Sequence, residues 1–157
     1  MKASVSDQRS ILDIQKFDIQ TATLRNKAAS LPELAELNST TIKQNNVRDL
    51  RIAAETELND VKRELARAEG DVEQIVTRIE RDEKRLASGT GTPKELEQTQ
   101  HELGTLGARR AELEEVELEI MMRVDAIKER IATLSAEENQ FGIEIADLNI
   151  RKENALA

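Results

Sequence analysis

The stretch ASGTGTPKELEQTQHEL (residues 87–103) interrupts a chain that otherwise reads as charged helix. Its residue types are those of a bend between two helices. Lys84 and Arg85 place positive charge at the end of the incoming helix, where the helix dipole is negative. Gly89 accepts the left-handed conformation that commonly ends a helix. Thr92, Pro93 and Glu95 then form a start signal: a threonine N-cap, a proline at the first helical position and a glutamate that completes a capping box. A connection this short joins antiparallel neighbours.

Apolar residues run outward from this bend in both directions. Backwards, they recur at steps of four and three: Leu86, Ile79, Ile75, Val72, Ala68, Leu65, Val61 and Leu58, with Asp82 the one interruption. Forwards, the stripe is Leu96, Leu103, Leu106, Leu113, Ile120, Val124, Ile127, Ile131, Leu134, Phe141, Ile145 and Leu148, interrupted by Thr99, Arg110, Glu117 and Glu138. This is the 3.5-residue repeat of a left-handed coiled coil. When the second stripe is folded back on the first, facing positions keep a constant sum of 181 or 182, from Leu86 with Leu96, through Val61 with Ile120 and Ala54 with Ile127, out to Leu37 with Ile145. Any two heptad patterns match in some register. The informative point is that this register closes on a short loop with turn chemistry. The spacing therefore predicts an all-α fold, a long antiparallel coiled-coil hairpin with arms 32–88 and 93–157 and a tip at 89–92. The polar layers Asp82/Thr99, Val72/Arg110, Leu65/Glu117 and Gln44/Glu138 fit register-setting or snorkelling positions. A local loosening of the arm for a partner is the other reading.

Composition agrees with helix and excludes much else. The chain has 157 residues, 34% of them charged and 1% aromatic, the aromatics being Phe17 and Phe141. Too few bulky residues are present for an ordinary globular core, and the sustained periodicity argues against disorder. There are no cysteines, which removes disulfides, thiolate metal sites and cysteine nucleophiles. No apolar run approaches the roughly 18 residues of a membrane span, and MKASVSDQRS lacks the apolar core of a secretory signal. A cytoplasmic location is the expectation. The net charge of −8 disfavours general binding of nucleic acid, which depends on neutralising phosphates with Lys and Arg.

The N-terminal segment, residues 1–31, continues into the first arm with a changed phase. Ile14, Phe17, Leu24, Ala28 and Leu31 form a stripe, but three-residue steps between positions 28 and 37 break the heptad. Pro32 lies at this step, within a second capping-box pattern, Ser30-Leu31-Pro32-Glu33, so a kink or restart is predicted near residues 30–33. The constant sum would place residue 158 opposite Leu24. Three arrangements meet this: the segment folds back as a third helix, it forms a homodimer through its stripe, or the chain is part of a longer protein. RKENALA carries no helix-stop signal, which favours the last.

Candidate functional residues are few. His101 is the single histidine, without the further ligands that a metal site needs. No nucleophile-and-base pair occurs, and GTGTP lacks the Lys-Ser/Thr ending and preceding strand of a phosphate-binding loop. The expectation is a non-enzymatic chain with no cofactor of its own. The candidate partner-binding tip is Arg85, Ser88, Gly89, Lys94, Gln98, His101 and Gly104. Gly104 and Gly107 each cost about 1 kcal/mol relative to alanine in a helix interior. They are either neutral in a well-packed hairpin or there to admit the backbone of a partner.

MKASVSDQRSILDIQKFD, LPELAEL, RLASGTGTPKELEQTQHEL and RRAELEEVELEIMMR, in that order, resemble the N-terminal coiled-coil region of the bacterial C4-type zinc-ribbon proteins. The resemblance covers essentially the whole chain and implies a long kinked hairpin followed, in the full-length family protein, by a ribbon that holds zinc with two Cys-x-x-Cys pairs. This cysteine-free chain departs from the family there, so the resemblance implies the coiled-coil part of a longer protein. It implies two functional expectations: a scaffold or adaptor docking protein partners, or a nucleic-acid-associated regulator in which the hairpin presents the absent ribbon to RNA or DNA.

Overall fold

The computed structural model describes residues 4–157, so the first three residues of the N-terminal segment lie outside the description. The described residues form three helices in order and no strand: α1 (Val5–Ala29), α2 (Pro32–Ser88) and α3 (Pro93–Leu156). The predicted antiparallel hairpin is α2 and α3, and the predicted kink is the break between α1 and α2 at residues 30–31.

The start of α1 follows from Ser4. Its Oγ accepts the Asp7 amide at 3.1 Å, while Asp7 Oδ2 accepts the Ser4 amide at 3.3 Å, a complete capping box. At the break the outcome differs from the predicted second box. Ser30 serves the end of α1: its amide donates to Asn26 O at 3.0 Å and its hydroxyl to Lys27 O at 3.4 Å. The first amide bond into α2 is Leu34 to Leu31 O, at 3.1 Å, and Glu33 Oε2 is buried without a partner. Pro32 supplies no amide and starts the new helix, as suits a first-turn proline.

The chain divides into two compact units. Leu50–Leu134 contains the bend and the best-packed stretch of seam. Val61, Ala68, Ile120, Val124 and Ile127 form a buried cluster, with Leu58, Leu65 and Ile131 packed against it. These are the apolar positions that a heptad stripe turns inward, three or four residues apart on each helix. Two ion pairs flank the cluster across the arms, Arg123 to Glu64 at 2.8 Å and Arg130 to Glu57. All four side chains are about half exposed, so each pair is worth roughly 0–1 kcal/mol and serves alignment more than stability.

The second unit takes in the chain up to Asp49 together with Ser135–Ala157. Thr40 and Leu148 are buried here, and Leu37, Gln44, Val47, Glu138, Phe141 and Ile145 are half-buried. Gln44 Nε2 donates to Glu138 O at 3.5 Å across the arms. Gly142 leaves room for that amide, since a Cβ there would stand 3.4 Å from Gln44 Nε2. Within this unit α1 buries none of its residues, and Ile14, Phe17 and Leu24 are exposed. No described helix is long and apolar enough to cross a membrane.

Candidate partner-binding tip

The bend is built as its residue types require. Gly89 takes φ 63° and Gly91 φ 123°, and no residue other than glycine in the described chain has positive φ. The Gly89 amide donates to Leu86 O at 3.2 Å and the Ser88 hydroxyl to Arg85 O at 2.8 Å, which closes the end of α2. Ser88 and Thr90 hydroxyls lie 2.8 Å apart. Across the turn, Thr92 Oγ1 accepts the Glu95 amide at 3.2 Å and Glu95 Oε2 accepts the Thr92 amide at 3.1 Å, while the Leu96 amide reaches Thr92 O at 3.0 Å. The predicted capping box is therefore present.

All seven candidate tip residues are exposed. Arg85, Ser88 and Gly89 lie at the end of α2. Lys94, Gln98, His101 and Gly104 follow at steps of four, three and three along the first turns of α3, a spacing that places them on one side of the helix. A Cβ at Gly104 or Gly107 would meet nothing within 4 Å, so packing inside the chain does not require either glycine.

The charges around the bend are largely uncommitted. Among the described residues, Arg78, Arg81, Lys84, Arg85 and Lys94 form no ion pair, whereas Arg109 holds Glu112 at 3.0 Å and Arg110 holds Glu114 at 2.8 Å. Arg110 occupies a seam position yet is exposed. Its side chain runs outward to Glu114, and that hydrogen bond, with the charges of Glu114, Glu80 and Glu83, raises its pKa further. Snorkelling thus accounts for this polar layer. Asp82 and Thr99 behave differently, being 8% and 7% exposed.

The described residues hold no cluster of metal-ligating side chains. Sequence reasoning did not single out Val116, Leu118, Met121 and Met122, which are exposed on α3. Their signal was available: all four fall off the stripe, in a helix whose other off-stripe positions are mostly charged, polar or small.

Residues 14–157 match the family of CT398-like coiled coil hairpin domains. Two Mycobacterium tuberculosis proteins, the uncharacterized protein MT2288 of strain CDC 1551 and the uncharacterized protein Rv2229c of strain H37Rv, are each 34% identical over 132 residues. The match takes in 82% of this chain and 52% of each relative, so it spans about half the length of those proteins. A solved structure from Mycobacterium smegmatis superposes with a TM-score of 0.81 at 28% identity, covering 99% of this chain and 64% of that one.

Proposed function

Because the chain belongs to the CT398-like coiled coil hairpin family, we propose that it is a non-catalytic scaffold whose hairpin tip docks a protein partner. The observation that carries this reading is the bend itself. It presents exposed Lys94, Gln98, His101 and Gly104 on one side of the capped start of α3, beside basic side chains that the chain leaves without ion pairs. Mixed rather than uniform charge at this end, with Glu80, Glu83 and Glu97 interspersed, suits a protein surface better than a phosphate backbone. The test is capture of partners by the chain and by Lys94→Glu and His101→Ala. Loss of a partner in either variant supports the tip as the docking element. Retention in both reduces the tip to a turn.

A second reading follows from the length of the relatives. The match spans 52% of them, and the zinc-ribbon resemblance supplies a role for a further segment: a ribbon that meets RNA or DNA, with the hairpin as its spacer. Zinc would then belong to that segment and not to the residues described above. A salt titration of binding to RNA and DNA separates the two. Tight, steeply salt-dependent binding by this chain would sink the scaffold reading. Binding only by a longer protein carrying the ribbon would favour the regulator.

A further inference from the structure

One layer near the bend does not match the rest of the seam. Asp82 and Thr99 occupy matching positions of the two stripes, between the leucines at 86 and 96 and the pair Ile79 and Leu103. Both are more than nine-tenths buried. The Thr99 hydroxyl donates to Glu95 O at 3.0 Å within its own helix, so its proton is committed. No donor among the described residues reaches Asp82 Oδ2. A buried carboxyl oxygen without a donor weakens whichever state buries it, because the same oxygen is solvated once the layer opens.

What lies on either side of this layer decides where opening stops. Toward the bend, only half-buried Leu86 and Leu96 and the turn remain. Opening there gives up little apolar contact and releases the carboxyl. Toward the arm, the next two layers, Ile79 with Leu103 and Ile75 with Leu106, are apolar on both helices, Leu106 being 7% exposed, and Arg110 beyond them already carries its charge outward to Glu114. Opening beyond Ile79 therefore loses burial with no polar group to gain from it.

We propose that residues 82–99 form a separately opening cap, a local unfolding unit whose equilibrium is set by the Asp82 carboxyl. The arm inward of Ile79 stays paired while the cap opens and recloses. The open form frees Leu86, Leu96 and the turn from the seam. This holds whether or not the tip docks a partner.

Hydrogen exchange of the whole chain and of Asp82→Leu tests it. Leucine extends the apolar seam without adding a polar group, so the variant retains the hairpin. In the parent chain, amides of residues 83–88 and 96–100 are expected to exchange at least about tenfold faster than those of Val61 and Ile127. In Asp82→Leu the cap amides are expected to slow about tenfold, and Val61 and Ile127, which exchange by openings that include the cap, by no more than that. Unchanged or faster exchange in the cap would overturn the proposal, since the end would then fray without the carboxyl's help. Equal exchange rates in the cap and the arm of the parent chain would overturn it too, because the layer would then open only with the whole fold.

Discussion

Gly89 and Gly91 do different jobs in a turn of very few residues. At φ 63°, Gly89 sits where alanine is admitted with strain, and a Cβ there would touch nothing within 4 Å. At φ 123°, Gly91 sits where side chains are essentially never found, and a Cβ would stand 2.8 Å from Glu95 Oε2. That oxygen already accepts the Thr92 amide, so moving it gives up half of the capping box. Gly91→Ala should therefore lower unfolding free energy by about 2–3 kcal/mol and Gly89→Ala by about 1 kcal/mol, read as urea midpoints. Equal losses would show that the Glu95 contact contributes nothing. The capping residues here were legible in sequence because Thr-Pro-x-Glu acts locally. Ser30 was misassigned because a serine between two helices can serve either one, and its amide and hydroxyl both went to the end of α1.

At the scale of the helix, burial follows the stripe and decides what a substitution does. Ile127 is 5% exposed within the buried cluster, and Phe17 is 67% exposed on α1. Ile127→Ala should cost about 2–3 kcal/mol, at the low end for core truncation because a two-helix seam surrounds a side chain less completely than a globular core. Phe17→Ala should change the stability of this chain by less than about 0.5 kcal/mol. Denaturant titration reads both, and a large loss for Phe17→Ala would mean that its face is covered in solution. The cross-arm pairs give a third expectation. Glu64→Lys should destabilise by up to about 1 kcal/mol at low salt, restored by adding Arg123→Glu, with the difference fading toward 1 M salt. The hairpin was legible because two stripes, the register and the turn agree, and the inward positions Ala54, Val61, Ile120, Val124, Ile127 and Leu148 are the stripe positions. The polar layers were not separable, because spacing places Arg110 and Thr99 on the same seam. Only side-chain length tells them apart: arginine reaches past the edge to Glu114 and threonine cannot.

For the molecule as a whole, charge is the property that sequence states most directly and structure changes least. The isoelectric point is near 4.9 and the net charge −8 at neutral pH. Mutual repulsion that keeps copies apart vanishes as pH approaches that point. Light scattering should show self-association rising as pH falls toward 4.9, with α1 and its exposed Ile14, Phe17 and Leu24 the first surface to associate. Scattering that stays flat through that pH would place the apolar face of α1 under cover. The helical-hairpin fold was readable because it resides in a repeated pattern that runs along both arms. The partner was not, because docking rests on a handful of exposed side chains whose residue types are ordinary for any helix surface.

The bend also governs how this hairpin tolerates a change in length. Because Val61 meets the level of Ile120 only through a fixed count of residues on either side of Thr90 and Gly91, seven residues removed from one arm alone leave every leucine beyond the cut one step out of register with its mate. Seven removed from each arm at matching levels, fourteen in all, leave each remaining pair intact. Length in Leu50–Leu134 is thus a mirrored quantity: insertions and deletions are tolerated as reflections of one another about the turn, and a lone one is a frameshift of the fold.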